Sequence, residues 1–210
     1  MMLASYLSNY YDHIFSLFVE TLTLVGVALG IALILALPIG FVLTKVKWLA
    51  TPVLSVLGVL YSIPSLAVFA MLIPLVGLGT EPAIIALVAY SQLVLVRNVM
   101  VGFQSISPSV IEAARGMGLN EVQLFWKIQL PLALPIIIGG VRIATVAIIG
   151  ISTIAAWINA GGIGELLFEG LYQNATHKII IGTVLIAAIA LGANQILLMV
   201  EKRVALKVKG

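Results

Sequence analysis

The chain of 210 residues contains no cysteine and few charged residues. The lack of cysteine excludes disulfide bonds and thiolate metal sites. Charged residues make up 9% of the chain and hydrophobic residues 62%, whereas about a quarter of the residues in a soluble domain are charged. So few charges cannot cover a water-facing surface of this size. We therefore expect a single membrane domain over residues 1–210, with lipid around most of the chain.

Motifs for nucleotide binding and for acid–base chemistry are also lacking. The sequence has no Gly-Lys dipeptide, which excludes a Walker-type phosphate loop, and the Gly-rich stretch from Asn159 to Glu165 lacks the third glycine of G-x-G-x-x-G. His13 and His177 are isolated, and no His, Asp or Glu cluster falls at bilayer depth. We expect no catalytic residue, no metal and no cofactor, which disfavours an intramembrane enzyme. If the chain is part of a pump, we expect a partner to supply the energy.

Five hydrophobic segments are long enough to cross a bilayer, since a transmembrane helix needs about 20 apolar residues. They cover residues 21–44, 52–74, 82–103, 132–157 and 178–200. Each is predicted to be a helix, because irregular backbone cannot face lipid. The fold class is therefore predicted to be an all-α, multi-pass membrane protein with five transmembrane helices.

The basic residues outside these spans favour one orientation. Eight of them lie on the same side if the N-terminus is external and the C-terminus is cytoplasmic: Lys45, Lys47, Arg115, Lys127, Lys202, Arg203, Lys207 and Lys209. The opposite side then carries Lys178 and five acidic residues. The positive-inside rule predicts an N-out, C-in topology. Because the basic residues are explained as topology signals, we expect membrane lipid and no nucleic acid around this chain.

The first twenty residues have two possible structures. Leu3, Leu7, Tyr10, Ile14 and Phe18 recur at intervals of three and four, which favours a helix lying in the outer membrane interface. The alternative is a frayed leader to the first spanning helix. A secretory signal peptide is not predicted, because no basic residue precedes the first span and no small-residue cleavage site follows it.

Several polar residues lie inside the spans, where they need hydrogen-bonding partners and often face a water-filled path. The candidate substrate-pathway residues are Tyr61, Ser62, Pro64, Tyr90, Ser91, Gln92, Thr145, Ser152 and Thr153. Pro64 is expected to interrupt the second span and to free a backbone carbonyl. For each Ser and Thr, the alternative is a hydrogen bond to its own backbone or to a neighbouring helix.

Charges inside the spans are rarer still. Arg142 lies well within the fourth span, where a bare guanidinium would repel a cationic substrate. We expect it to bind carbonyls or polar groups on the Glu112 side, near the inner mouth of the path. No acidic residue lies near mid-membrane to couple protons or sodium ions, which disfavours an ion-driven carrier or channel.

The polar stretch between the third and fourth spans, residues 104–131, is called the connecting segment below. Ser107 followed by Pro108 predicts a helix start, with the Ser107 side chain accepting from free backbone N–H groups. Gly118 is expected to end this helix in the left-handed conformation. Asn120 and Gln123 then predict a capping box on a second short helix. The two helices form an elbow on the cytoplasmic side.

One motif in the connecting segment has several fixed positions. Glu112-Ala113-Ala114 is followed after three residues by Gly118, and after nine more by Ile128-x-Leu130-Pro131. This spacing resembles the coupling motif of permease subunits from bacterial ABC importers, which docks the permease onto its ATPase. The resemblance implies an ATPase-coupling role for Glu112, Ala113, Ala114, Gly118, Phe125, Trp126, Ile128, Leu130 and Pro131.

Two questions about this motif stay open at the level of sequence. Phe125 and Trp126 either insert into the ATPase or pack on the chain's own helices. Glu112 either meets a basic residue of the ATPase or pairs with Arg115, one helical turn away.

Other short stretches resemble the osmoprotectant branch of these permeases, which carries glycine betaine, carnitine or choline. They are Tyr61–Leu66, Arg97-Asn98 and Gly139–Arg142, whereas the Gly-rich external Asn159–Glu165 resembles the five-helix permeases of this superfamily in general. Permeases of methionine importers share the length, the span count and the Gly-rich external stretch, so an amino-acid importer of that type is the alternative. The resemblance implies a bacterial plasma-membrane permease that works with a second permease protomer, identical or paralogous. It also implies two copies of an ABC ATPase and an extracellular substrate-binding protein.

Overall fold

The computed structural model describes residues 10–209, with side chains as far as residue 207. Over this range the chain is helical and contains no strand. The α-helices are α1 (Tyr11–Lys45), α2 (Lys47–Ser62), α3 (Ser65–Val76), α4 (Thr80–Gln104), α5 (Pro108–Gly116), α6 (Glu121–Leu124), α7 (Leu130–Ala155), α8 (Gly164–Tyr172) and α9 (Thr176–Lys209). A π-helical turn (Phe125–Gln129) joins α6 to α7, and a 3-10 turn (Ala156–Ile158) follows α7. The predicted all-α class is confirmed.

Four helical stretches of the described chain are long and apolar enough to cross a membrane. They are Tyr11–Lys45, Thr80–Gln104, Glu121–Ile158 and Thr176–Lys207. The bent pair formed by α2 and α3 makes a fifth if it is counted as one span. Each of the five predicted segments overlaps one of these, so the structure contains four or five candidate spans.

Helix α1 is longer than the span predicted for it. Its 35 residues extend about 52 Å at 1.5 Å per residue, which exceeds the hydrocarbon thickness of about 30 Å. Ile14 and Leu17, in its first turns, belong to the buried core. The prediction of a separate interfacial helix is therefore wrong for residues 11–20, which contain no proline or glycine to interrupt α1. Leu3 and Leu7 lie outside the described residues.

The second predicted span, residues 52–74, is not one straight helix. α2 and α3 meet at an angle of 95°. Ile63, which precedes Pro64, has extended backbone with φ −69° and ψ 133°. A proline disfavours the helical conformation in the residue before it and cannot donate a backbone hydrogen bond, so the helix stops here. The predicted interruption at Pro64 is confirmed.

Helix α4 is the centre of the bundle and packs against α1 on one side and α7 on another, while α9 packs on α7 and α8. Small residues line the α1–α4 contact, including the fully buried Ala32 and Ala36. At Gly40 of α1, an added Cβ would lie 2.6 Å from the Cβ of Val99 on α4. Close backbone approach between α1 and α4 therefore requires small side chains, as is common between membrane helices.

The Gly-rich stretch after α7 is tied to the beginning of α1. Its Gly161 and Gly162 have φ of +80° and +86°, in the left-handed region that favours glycine. The N–H of Gly162 donates to Oε2 of Glu20 at 2.9 Å, and the N–H of Ile163 donates to Oγ1 of Thr21 at 2.9 Å. These hydrogen bonds hold the turn between α7 and α8 against α1.

Candidate functional site

The connecting segment begins as predicted with a helix that has Pro108 in its first turn. Pro108 is suited to this position because the first N–H groups of a helix have no partner within it. The side chain of Ser107, however, makes no capping hydrogen bond to the helix. Its Oγ lies 2.7 Å from Oγ of Ser109 instead. The predicted capping role of the Ser107 side chain is therefore wrong.

The turn between α5 and α6 has the geometry predicted from Gly118. This glycine has φ +85°, and the N–H of Leu119 donates to the Ala114 carbonyl at 3.3 Å to close the end of α5. An added Cβ at Gly118 meets nothing within 4 Å, so backbone conformation and not space is what favours glycine. The predicted capping box is also confirmed, because Gln123 N–H donates to Asn120 Oδ1 at 2.8 Å and Asn120 N–H donates to Gln123 Oε1 at 3.2 Å.

The second short helix is continuous with the span that follows. α6 passes through the π-helical turn into α7, and Pro131 lies in the first turn of α7. The sequence reasoning missed this turn, because neither composition nor periodicity distinguishes a single π-helical turn from α-helix. A continuous helical path of this kind can transmit a displacement of α6 directly to α7.

The coupling-motif residues are distributed between surface and interior. Glu112, Ala113, Gly118 and Trp126 are exposed, whereas Ala114 is buried. Phe125, Ile128, Leu130 and Pro131 are half-buried. Several large apolar side chains of the connecting segment are exposed beside this motif, and they are Val110, Met117 and Val122.

The two neighbouring aromatic residues have different surroundings. The Phe125 ring packs edge-to-face on Phe41 of α1, with centroids 4.9 Å apart, and stacks near Phe103 of α4 at 5.8 Å. Trp126 touches Phe125 at 5.2 Å but is 63% exposed. Phe125 therefore holds the connecting segment on the bundle, and Trp126 is free to meet another surface.

Arg115 does not pair with Glu112. Its Nη2 lies 2.9 Å from Oε1 of Glu121 on α6, so this ion pair bridges the two short helices across Gly118. Within the described chain, Glu112 is exposed and has no ion pair. Of the two alternatives for Glu112, pairing with Arg115 is excluded by this geometry.

Five Ser and Thr hydroxyl groups of the candidate pathway bond to their own helices. Each of the following donates to a carbonyl three or four residues earlier, at 2.7–2.8 Å: Ser62, Ser91, Thr145, Ser152 and Thr153. Ser91, Thr145 and Ser152 are buried, whereas Ser62 and Pro64 are exposed on the surface of the protomer. These hydroxyl hydrogens are therefore already committed to main-chain carbonyls.

Two larger polar side chains connect different helices. The Tyr90 hydroxyl donates to the carbonyl of Ile63 at 2.6 Å and so satisfies an acceptor at the α2–α3 break. Gln92 Nε2 donates to the Ala32 carbonyl of α1 at 3.2 Å. Gln92 Oε1 is buried without a hydrogen-bond partner in the described chain. Tyr61 lies beside Tyr90, with ring centroids 6.1 Å apart.

Arg142 has partners that the sequence reasoning did not identify. Its Nε donates to Oε2 of Glu201 at 3.0 Å, and its Nη1 donates to Oδ1 of Asn194 at 3.2 Å. Both partners are on α9, so the expectation of carbonyls or groups on the Glu112 side was wrong. Arg142 is more than 50 residues away from both partners, so no local sequence pattern links them. Glu201, a lone acidic residue at the end of an apolar span, was nevertheless a usable signal. The pairing neutralises the guanidinium charge within the bundle.

A cavity of about 420 Å³ lies between α1, α4 and the Gly-rich stretch. Its polar lining includes Glu20 and Glu165, which the sequence reasoning treated only as external charges. Burial raises the pKa of the Glu165 carboxyl, and the neighbouring Glu20 carboxylate raises it further. The carboxyl of Glu165 is therefore easier to protonate than one in free solution. Among the described residues, no group of three or more His, Cys, Asp or Glu side chains is placed to hold a metal ion.

Comparison with known proteins gives a consistent family match. The sequence model described as "Binding-protein-dependent transport system inner membrane component" matches residues 28–206. The chain is 39% identical over 191 residues to the osmoprotectant import permease protein OsmW of Salmonella typhimurium, covering 89% of each chain. It is 35% identical over 193 residues to the choline transport system permease protein OpuBB of Bacillus subtilis, covering 92% of this chain and 85% of that protein.

Two solved structures with a similar fold come from ABC transporters. An inward-facing structure of the MetNI methionine ABC transporter contains a chain that matches with a TM-score of 0.81 at 25% identity, covering 91% of this chain and 95% of that one. An amino-acid ABC transporter solved with histidines matches with a TM-score of 0.75 at 19% identity, over 94% and 96% of the two chains. The second likeness concerns the fold alone.

Proposed function

This chain belongs to the family of binding-protein-dependent transport system inner membrane components, and from that premise we propose that it takes up a quaternary-amine osmoprotectant such as glycine betaine, carnitine or choline. It is a multi-pass subunit of the bacterial plasma membrane and is not itself an enzyme. The observation that carries the choice of substrate is its 35–39% identity, over about nine-tenths of its length, to permeases named for osmoprotectants, choline, and glycine betaine/carnitine/choline.

The charges within the bundle support a zwitterionic or cationic substrate. Arg142 is neutralised by Glu201, and the candidate pathway side chains are all uncharged. An anionic substrate would need several Lys or Arg side chains directed at it. A sugar would need many donors, whereas the hydroxyls of Ser91, Thr145 and Ser152 are bonded to their own helices.

The permease works as a pair of protomers, identical or paralogous, with the translocation path between them. In the single protomer, α9 leaves most of its apolar surface uncovered, as expected for a helix that meets a second protomer or lipid. An extracellular binding protein delivers the solute to the outer face. Two copies of a partner ATPase on the cytoplasmic side bind and hydrolyse ATP, and the chain itself needs no cofactor.

Coupling runs through the connecting segment, which lies on the cytoplasmic side in the N-out, C-in orientation. Exposed Met117, Val122 and Trp126 supply the apolar contact with the ATPase, and exposed Glu112 supplies a charge for a basic residue there. Phe125, Ile128, Leu130 and Pro131 link this surface to the bundle. When the ATPases close, the displaced elbow tilts α7 through the continuous helical path from α6.

The experiment that tests this function is uptake into proteoliposomes that contain this permease, its ATPase and its binding protein. Labelled glycine betaine, carnitine, choline and methionine are supplied separately, with and without ATP inside. We expect ATP-dependent uptake of at least one quaternary amine and none of methionine. Uptake of methionine alone would assign the chain to the amino-acid importers, and uptake without ATP would assign it to the carriers.

A further inference from the structure

The break between α2 and α3 brings an aromatic ring and a helix end together partway along this candidate span. From Lys47 to the break, α2 rises about 22 Å at 1.5 Å per residue, which is less than the hydrocarbon thickness of about 30 Å. Tyr61 lies in the last turn of α2 and is 41% exposed on the protomer surface, whereas Tyr90 of α4 is 4% exposed. The break therefore presents one tyrosine outward and buries the other.

Tyr90 holds the Tyr61 ring in a defined position. The hydroxyl of Tyr90 is fixed by its hydrogen bond to the Ile63 carbonyl, at 2.6 Å. The two rings meet edge-to-face, with an interplanar angle of 70°. This arrangement is favoured by the quadrupoles of the rings. A ring that is pre-positioned in this way needs little ordering when it binds a ligand.

The end of α2 also presents main-chain carbonyls at the same place. The N–H of Ile63 donates to the Leu60 carbonyl at 3.2 Å, which tightens the last turn. Within the described chain, no N–H beyond α2 and no side chain donates to the carbonyls of Tyr61 or Ser62. The C-terminal end of a helix carries partial negative charge. The carbonyl end of α2 therefore places partial negative charge beside Tyr61 without a formal charge.

The Ser62 hydroxyl and the Arg142 guanidinium are both bonded to other groups of the chain. The Ser62 hydroxyl is turned back to the Gly58 carbonyl, at 2.8 Å. Arg142 is held by Glu201 of α9. A quaternary ammonium group has no N–H to donate, and it is bound in proteins by the faces of aromatic rings and by negative dipoles. These are the groups that the end of α2 provides.

We propose that Tyr61, with the free carbonyls at the end of α2, forms a subsite within the membrane for the quaternary ammonium group of the transported solute. The subsite deepens the proposed function and rests on it, because it assigns the place where the permease itself recognises the cationic head. Tyr90 is a positioning residue, which orients the Tyr61 ring without touching the solute.

The first test compares Tyr61→Leu with Tyr61→Phe in proteoliposomes that hold the complete transporter. Loss of the ring lowers ATP-dependent uptake of labelled choline by about tenfold or more, whereas phenylalanine retains uptake within about twofold of wild type. The thermal stability of the complex and the affinity of the binding protein for choline stay unchanged. Tyr172→Leu, at an exposed tyrosine outside the spans, is the matched control and retains uptake. Equal uptake by Tyr61→Leu and wild type would overturn the subsite.

A second measurement separates binding to the π face from simple packing. Phenylalanine with one, two or three fluorine atoms is incorporated at position 61, which changes the shape little but withdraws electron density from the ring. We expect choline uptake to fall stepwise along this series. A flat series would mean that Tyr61 contributes shape alone, and the subsite would then be wrong.

The two proposals fail in different ways. If the wild-type complex takes up no quaternary amine, the proposed function is wrong and the subsite is wrong with it. If the wild-type complex takes up choline while the leucine variant and the fluorinated series match it, only the subsite is wrong.

Discussion

Arg142 of α7 and Glu201 of α9 form an ion pair between two spanning helices, with Nε of the arginine 3.0 Å from Oε2 of the glutamate. Asn194, about two turns earlier on α9, accepts a second hydrogen bond from the same guanidinium at 3.2 Å. Both charged side chains are 27% exposed in the protomer. A charge in such a place is costly without its partner, so the two residues stabilise the packing of α9 on α7 together.

Removing one member of this pair should destabilise the protein more than removing both. We expect Arg142→Met or Glu201→Gln to lower the free energy of unfolding by about 1–3 kcal/mol, because the remaining charge loses its partner. The double variant Arg142→Met/Glu201→Leu should recover most of this loss, since an apolar pair suits the bundle. Thermal unfolding in lipid nanodiscs measures the effect. Single variants as stable as wild type would show that the pair is not structural.

Gly118 should tolerate only residues that accept a left-handed backbone. Gly118→Ala places a Cβ at φ +85°, which costs about 1–2 kcal/mol in the elbow. We expect weaker association with the ATPase and less stimulated ATP hydrolysis, while the stability of the spans is retained. Gly118→Asn should retain more of the ATPase association and of the stimulated ATP hydrolysis, because asparagine accepts this conformation best among the larger residues.

The matched control for this change is Gly116→Ala, at the last helical residue of α5. Gly116 also has open space where a Cβ would be added, but it is not among the glycines with positive φ. Alanine there should leave ATPase association intact. If both alanine variants bind the ATPase equally, the left-handed turn is not needed for coupling.

Trp126 and Phe125 should give opposite results when each is replaced by alanine. Trp126→Ala removes an exposed side chain, so we expect an unchanged melting temperature with at least about tenfold weaker ATPase binding. Phe125→Ala removes a ring packed on Phe41 and Phe103 and should cost about 3 kcal/mol of stability. Surface plasmon resonance with the purified ATPase, together with thermal unfolding, distinguishes the two effects. Normal ATPase binding by the Trp126 variant would contradict the proposed docking surface.

The N-out, C-in orientation can be tested without removing any native cysteine, because the chain has none. Cysteine is introduced singly at Glu81, which starts α4, and at Lys207, near the end of α9. In intact cells an impermeant maleimide should label the first site only, and in inverted vesicles the second site only. Labelling of both positions from the same side would refute this topology.

The raised pKa of Glu165 predicts a pH-dependent stability. Burial and the neighbouring Glu20 and Glu169 raise the pKa of this carboxyl above its ordinary 4.5, although His13 lowers it somewhat. The folded state therefore binds the proton of Glu165 more tightly than the unfolded state does. Protonation of Glu165 stabilises the folded protein below pH 4.5, and this stabilisation is lost as the pH rises through the raised pKa. At pH values above the raised pKa, we expect Glu165→Gln to increase the melting temperature. The melting temperature of this variant should also depend less on pH than that of the wild type.

The control for the pH profile is Glu81→Gln, which removes an exposed acidic charge at the start of α4. It should leave the shape of the profile unchanged. A Glu165→Gln variant whose melting temperature follows the wild-type pH profile would show that Glu165 does not titrate differently in the folded protein.

Local sequence was sufficient for the features that depend on nearest neighbours. The apolar segments predicted the membrane spans, because a span is defined by its own length and composition. Pro64 predicted the break in the second span, Gly118 the left-handed turn, and Asn120 with Gln123 the capping box, since each depends on backbone geometry within a few residues. The coupling-motif spacing and the matching stretches led to the family, although they placed no side chain in space.

Tertiary structure decided which partner each polar group takes. Arg142 meets Glu201 because α7 and α9 pack together, and Glu20 meets Gly162 because the Gly-rich stretch folds back over α1. Phe125 and Trp126 are adjacent in the sequence, yet one is packed on the bundle and the other is exposed. Such pairings depend on the rotation and distance between helices that are far apart in the chain. Hydrophobic periodicity does not determine those quantities, because in a membrane helix nearly every face is apolar.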